Sequence, residues 1–196
     1  MTTQRSLRGG KPVHNVSNGL ALDGVAIGVL ILRIAIGATF LAHGYNHIAP
    51  GKFGGTAKWF GGLGMRPARA QALLASVTEL GAGALLIVGL LTPVAAGALA
   101  GTMAVAFVIA HRKNGFFIFR PGQGWEYVMN LFVACIAIGA MGAGRWSLDD
   151  AWGLADWKIA SGLFGLWCAL AIGVGGAALL LLVCWRPGNS TASAKP

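Results

Sequence analysis

Only 11% of the 196 residues are charged while 56% are hydrophobic, and 15 lysines and arginines against 6 acidic residues give a net charge of +9. An ordinary soluble domain has about 25% charged residues in its composition, so this chain is not an ordinary soluble protein, and lipid is expected to cover most of its surface. The basic residues occur in short stretches between apolar runs, which excludes the basic face of a nucleic-acid-binding protein and favours contact with lipid headgroups.

Five apolar segments approach or exceed the roughly 20 residues that cross a bilayer. In chain order they are residues 22–44, 70–91, 94–111, 125–141 and 159–185. The sequence therefore predicts an all-α integral membrane bundle. Its predicted parts are a disordered polar tail at 1–20, a four-helix core at 21–145, an interfacial amphipathic segment at 146–158, a fifth transmembrane helix at 159–186 and a polar tail at 187–196.

Five ionisable side chains lie within or at the ends of the first four segments, namely Arg33, His43, Glu79, His111 and Glu126. Ionisable groups in hydrocarbon are costly, so each is a candidate catalytic residue. Because successive helices alternate in direction, His43, His111 and Glu126 are expected near one face, with Glu79 roughly 10–13 Å below it. Nine of the fourteen lysines and arginines other than Arg33 fall on the same side, which predicts a cytoplasmic face there.

Two residue pairs, Arg33 with Glu79 and His43 with His47, each have a structural and a chemical interpretation. Arg33 can extend toward Glu79, and the resulting ion pair would be either a clamp between two helices or part of a redox, proton-transfer or substrate site. His43 and His47 are four residues apart and share a helix face. They would lie at the lipid–water interface or bind a metal or haem, and since no third ligand accompanies them we predict no metal site.

An aromatic loop at 114–122 follows the third segment and contains three phenylalanines. It would either anchor in the membrane interface or form a lid that presents apolar rings to a hydrophobic headgroup such as a quinone. Asn130 lies four residues after Glu126 and shares its helix face. Phe117, Trp125 and Asn130 are therefore the predicted contacts of a bound quinone.

Several sequence blocks resemble the DoxX family of small bacterial membrane proteins. They are LRIAIG at 32–37, FLAHG at 40–44, KWFGGLGM at 58–65, ELGAG at 79–83, GLLTP at 89–93, HRKNGFF at 111–117 and WEY at 125–127. The resemblance implies a four-helix membrane core and a relation to the DoxD subunit of thiosulfate:quinone oxidoreductase. It also implies that Arg33, His43, Glu79, His111 and Glu126 are the polar signature, and that thiol and oxidative-stress defence is the setting.

These observations predict a multi-pass protein of the bacterial plasma membrane that is a quinone- or thiol-linked oxidoreductase component. The alternative is a non-catalytic scaffold that recruits soluble redox enzymes to the bilayer or associates with a respiratory complex. The sequence has no Cys-x-x-Cys pair and no dinucleotide fingerprint, which favours an accessory subunit over a self-contained enzyme. Expected partners are the lipid bilayer, soluble redox enzymes or respiratory subunits, and further copies of the chain, but not nucleic acid.

Overall fold

The computed structural model describes residues 13–187, and within that range the chain is helical with no strand. The helices are α1 (Val13–Ile48), α2 (Phe53–Gly62), α3 (Ala68–Val88), α4 (Thr92–Ala106), α5 (Glu126–Met141), α6 (Leu148–Ala151), α7 (Gly162–Leu170) and α8 (Gly176–Cys184). A π-helical turn at Phe107–His111 continues α4, and another at Ala171–Gly175 joins α7 to α8. We call the continuous helix Gly162–Cys184 the last helix.

Within residues 13–187, four helices are long and apolar enough to cross a membrane. They comprise Asp23–Ile48, Ala68–Val88, Thr92–His111 and Gly162–Cys184. The apolar helix α5 has 16 residues, about 24 Å, and is therefore shorter than a standard span. The predicted all-α membrane bundle is thus confirmed.

Three local features differ from the predicted organisation. Helix α1 begins at Val13, inside the segment predicted as a disordered tail, because extending an existing helix costs much less than nucleating one. Residues 1–12, and residues 188–196 of the predicted C-terminal tail, lie outside the described residues. The loop before α3 contains the unpredicted helix α2, which packs Ala57 and Phe60 against Met65 and Ala72.

The helices alternate in direction, so five helix ends meet at one face, which we call the rim face. These ends are the C-terminus of α1, the N-termini of α3 and α5, the end of the π turn after α4 and the C-terminus of the last helix. The indole of Trp185, just after α8, donates a hydrogen bond of 2.9 Å to Leu63 O, which precedes α3. The segment 142–160 lies at the opposite face, where Arg145 pairs with Asp23.

Glycines allow the helix backbones to approach closely. The backbones of α1 and α3 are in close contact at Gly37, where an added Cβ would lie 2.7 Å from Gly83 O. A Cβ at Gly97 would lie 2.9 Å from Ala169 O, and one at Gly101 would lie 3.3 Å from Gly173 O. Gly97-x-x-x-Gly101 is therefore a helix-packing motif, and the last helix is its partner.

Alanine at Gly97 and at Gly81 should have opposite effects on stability. Gly97→Ala forces a methyl group onto the backbone of the last helix, so we expect a loss of about 1–3 kcal/mol. At Gly81 an added Cβ meets nothing within 4 Å, so Gly81→Ala should gain up to about 1 kcal/mol from its better helix propensity. Thermal unfolding of both variants in the same lipid measures the difference, and equal shifts would contradict the packing assignment.

Candidate functional site

A cavity of about 380 Å³ lies below the rim face, within the range that holds small ligands. Its walls come from α1, α2, α3, α4, α5 and the last helix. The polar side chains that line it are His43, His47, Gln71, Thr78, Glu79, Thr102, His111, Gln123 and Tyr127. Its aromatic and larger apolar lining comprises Trp59, Phe60, Met65, Leu74, Met103, Val105, Ile109, Ile118, Val128, Ile172 and Leu180.

Glu79 is the most buried ionisable group of this cavity, with 5% of its surface exposed. Its Oε2 lies 3.6 Å from Nδ1 of His47, which is too long for a hydrogen bond. Both atoms are buried, and among the described residues neither has a hydrogen-bond partner. Buried polar atoms are nearly always satisfied, so an unsatisfied pair that lines a cavity indicates a position where a ligand can bind.

A second polar pair joins α1 to α5. Nε2 of His43 lies 2.9 Å from the hydroxyl oxygen of Tyr127, and the two rings are 5.9 Å apart. His43 lies one helical turn before His47, so both pairs project from the same side of α1. Gln123, on the loop after the π turn, is exposed and also lines the cavity, so water reaches the cavity at the rim.

The aromatic loop folds back over this end of the cavity. Asn114 donates hydrogen bonds to Ala110 O and Gly122 O, and the His111 ring lies 2.9 Å from Gln123 O. Ile118 and Gln123 line the cavity, whereas Phe119 is 78% exposed. The loop thus contributes Ile118 and Gln123 to the cavity wall, whereas none of its three phenylalanine rings lines the cavity.

The structure brings together only some of the candidate residues. His43, Glu79 and His111 line the cavity, whereas the side chain of Glu126 accepts a hydrogen bond from Ile118 N at 3.3 Å and stabilises the loop. The predicted quinone contacts Phe117, Trp125 and Asn130 do not line it. Phe117 and Trp125 instead each pack edge-to-face on Phe116, with ring centroids 5.3 and 4.8 Å away. Asn130 is exposed on the outer side of α5.

Sequence reasoning missed Tyr127 as a site residue. It stands in the WEY block beside Glu126, but nothing in the sequence pairs it with His43, 84 residues earlier. The sequence pairs His47 with His43 by their spacing, but only as interfacial residues or as metal or haem ligands. Thr78, directly before Glu79, was not predicted as a site residue, because an uncharged threonine in a membrane helix does not by itself indicate a function.

The expected pairing of Arg33 with Glu79 is wrong. Arg33 is fully buried near the opposite face, where it donates to Leu86 O and Ile87 O at 3.2 Å and to Trp146 O at 2.6 Å. Gly44 packs beside Glu79, eleven residues or about 16 Å along α1 from Arg33. No arginine side chain spans that distance, so Arg33 instead binds the carbonyls at the C-terminus of α3.

The cavity therefore offers hydrogen-bonding and proton-carrying groups at one end of an apolar space. Glu79 can hold a proton on Oε2, and His43, His47 and Tyr127 can donate or accept hydrogen bonds. Within residues 13–187 no group of three or more histidines, cysteines or carboxylates is arranged to hold a metal ion. The chemistry that these groups can perform is the binding of a small, largely apolar molecule with exchange of protons.

No curated protein and no solved structure is significantly similar to the chain. The sequence model of the DoxX family matches residues 28–112, which comprise most of α1, all of α2, α3 and α4, and the π turn. His43, His47, Glu79 and His111 all fall within this match. The described residues contain four apolar helices of spanning length, so the chain is a multi-pass membrane protein, and its residues 28–112 match the DoxX family.

Proposed function

We propose that the protein is a membrane component of a quinone- or thiol-linked oxidoreductase in the bacterial plasma membrane, and that its cavity takes the quinone ring. The observation that carries this proposal is the pair of unpartnered buried atoms, Glu79 Oε2 and His47 Nδ1, on the wall of a mostly apolar cavity. A quinone ring is flat and apolar with a carbonyl oxygen at each end. Such a molecule suits apolar walls with a few polar groups that fix its orientation.

A bound quinone would accept two electrons and two protons, and two thiols can supply both. Two S–H bonds break, one S–S bond forms, and the two protons end on the quinone oxygens. Glu79 would deliver a proton from Oε2, and His47, whose Nδ1 lies 3.6 Å away, would reload the carboxylate once ligand binding brings the two groups within hydrogen-bond distance. Tyr127 and His43 would hold the other polar group of the ligand, with water at the rim as the proton source.

The electrons would come from a thiol outside this chain. All three cysteines lie within the described residues, and none of them lines the cavity. Cys135 is fully buried in the core between α4 and α5. The oxidoreductase would therefore need a soluble thiol or a thiol-bearing partner enzyme, which agrees with a role as one component of a complex.

Phenylalanine at Tyr127 should weaken the binding of a quinone that has no tail. Losing one hydrogen bond lowers affinity by about 2- to 10-fold. The measurement is a titration of purified protein in lipid nanodiscs, followed by tryptophan fluorescence because Trp59 lines the cavity. Tyr45→Phe is the matched control, because Tyr45, the second of the chain's two tyrosines, is 61% exposed and lies outside the cavity.

Two results would contradict the proposal. Equal affinities of the two tyrosine variants would remove Tyr127 from the site. A wild-type protein that binds no quinone, and that supports no thiol-dependent quinone reduction when soluble redox enzymes are supplied, would exclude the oxidoreductase role altogether.

The scaffold role remains the second candidate, and one observation favours it. Seven exposed basic side chains lie on the loops and helix ends of the rim face: Lys52, Lys58, Arg66, Arg69, Arg112, Lys113 and Arg120. Such a cluster attracts acidic surfaces of soluble proteins as well as anionic lipid. Recruitment through these residues would require a folded bundle but no intact cavity, and this difference separates the two functions experimentally.

A further inference from the structure

We infer that the cavity receives its ligand sideways from the bilayer, through an opening between α3 and the last helix, and that this opening holds the polyprenyl tail of a membrane quinone. The inference rests on the proposed function and specifies its substrate class. It selects a lipid-borne quinone over a water-soluble one or a small sulfur anion as the occupant of the cavity.

The opening is marked by residues that line the cavity and are also exposed on the outside of the bundle. Leu74 of α3 is 48% exposed, and Gly176 of α8 is also exposed. Leu74 lies six residues inside α3, about 9 Å from its rim end, and Gly176 lies eight residues, about 12 Å, from the rim end of α8. At that depth the outer surface of the bundle faces acyl chains and not water.

The last helix is attached to the bundle on either side of this opening. Toward the middle of the membrane, Gly97 and Gly101 pack on Ala169 and Gly173, and at the rim the Trp185 indole binds Leu63 O. The π turn at Ala171–Gly175 includes the inner contact Gly173, and the small residues Gly176 and Ala177 follow it toward the rim. Gly176 lines the cavity, and a Cβ added there would meet nothing within 4 Å, so the cavity is open to the outside at this position. π turns within α-helices frequently mark functional sites.

The walls of the opening select the chemistry of the occupant. They are apolar, with Leu74 and Ala75 on one side and Ile172, Ala177 and Leu180 on the other. No lysine or arginine is among the described residues that line the cavity, so a small anion would find no opposite charge. A ligand with a polar ring and a long apolar tail matches this arrangement, with the ring near Glu79 and His47 and the tail between the helices.

Two pairs of substitutions test the opening from its two sides. Gly176→Leu and Leu74→Trp place bulk in it. Gly175→Leu and Leu73→Trp are the matched controls, because both neighbours are exposed, neither lines the cavity, and a Cβ at Gly175 meets nothing within 4 Å. Each variant, in nanodiscs of phosphatidylcholine and phosphatidylglycerol, is titrated with a tail-less benzoquinone and with the same ring carrying a polyprenyl tail.

We expect Gly176→Leu and Leu74→Trp to bind the tailed quinone about tenfold or more weakly, with affinity for the tail-less ring within about twofold of wild type. The controls should bind both quinones as wild type does. If both blocking variants bind the tailed quinone with wild-type affinity, the tail does not lie in this opening, and the inference is overturned while the proposed function stays intact. Equal loss of both quinones would also overturn it, because the substitution would then act on the ring site.

Two further outcomes concern the occupant. Displacement of the tailed quinone by a phospholipid of matching chain length would show that an acyl chain occupies the opening, which overturns the assignment to a quinone tail. A wild-type protein that binds neither quinone overturns the inference together with the proposed function.

Discussion

Glutamine in place of Glu79 should lower thiol-dependent quinone reduction at least about 100-fold and leave quinone affinity within a few-fold of wild type. The two side chains have nearly the same shape, but an amide cannot deliver a proton, and a positioned acid or base contributes about 10²- to 10⁴-fold to a rate. The measurement is the rate of quinol formation, together with the quinone dissociation constant, for purified protein in nanodiscs with its thiol donor.

Asp156→Asn is the matched control for this substitution. Asp156 is an exposed carboxylate on the segment at the opposite face, so its neutralisation removes the same charge without touching the cavity. We expect its rate to equal that of wild type. If Glu79→Gln folds normally and retains the wild-type rate, Glu79 carries no proton in the reaction and its burial is structural.

The same variant separates the two candidate functions. An oxidoreductase component needs the Glu79 proton, whereas a scaffold needs only the fold and its basic rim. Co-sedimentation of soluble redox enzymes with nanodiscs should therefore be unchanged in Glu79→Gln under either hypothesis. Loss of quinone reduction with retained recruitment supports the proposed function, while unchanged recruitment with no quinone reduction even in wild type supports the scaffold.

The membrane helices were predictable because hydrocarbon imposes one strong constraint: every backbone polar group must be satisfied within the segment. Long apolar runs therefore indicate spans directly. The alternation of helix direction then placed His43, Glu79 and His111 near one face, and all three line the cavity. Depth along a helix follows from residue number at 1.5 Å per residue, which is why these positions were accessible to sequence reasoning.

Rotation and register between helices were not predictable, and the failed predictions come from them. Arg33 was expected to meet Glu79, but the close packing of Gly37 on Gly83 sets a register that puts Glu79 beside Gly44. The rotation of α5 turns Tyr127 toward His43 and leaves Asn130 exposed. A single sequence contains neither quantity, because each depends on how the surfaces of two helices fit together.

The last helix illustrates the same limit. It lies outside the DoxX match and looked like an addition to a four-helix core, yet Ile172, Ala177 and Leu180 form part of the cavity wall. Its glycines allow it to pack on α4 at Gly97 and Gly101. The glycine spacing on α4 is visible in the sequence, but the helix that packs on it could be identified only from the structure.

Methionine at Arg33 should have the largest effect on stability of any substitution considered for this protein. Arg33 donates to three carbonyl oxygens in a buried site, and charged hydrogen bonds of this kind are among the strongest in proteins. We expect Arg33→Met to lose on the order of 3–5 kcal/mol, measured by thermal or denaturant unfolding in lipid. Arg145→Met is the matched control, since Arg145 pairs with Asp23 at an exposed position and should cost less than about 1 kcal/mol.

The loss at Arg33 should exceed that of a simple ion pair because the guanidinium completes a larger cap. It satisfies carbonyls at the C-terminal end of α3, while the buried carboxylate of Asp149 accepts hydrogen bonds from Leu91 N and Thr92 N at the start of α4. A positive group at a helix C-terminus and a negative one at an N-terminus both match the helix dipoles.

Gly89 forms the turn between these two helix ends, with φ of +68° and its ideal Cβ position occupied by the Arg33 guanidinium. The turn and the guanidinium therefore fit one another. Arg33→Lys should be intermediate in stability, because one ammonium group cannot reproduce the planar fork that reaches Leu86, Ile87 and Trp146. If Arg33→Met unfolds at the same temperature as Arg145→Met, the cap contributes nothing measurable and the buried arginine requires a different explanation.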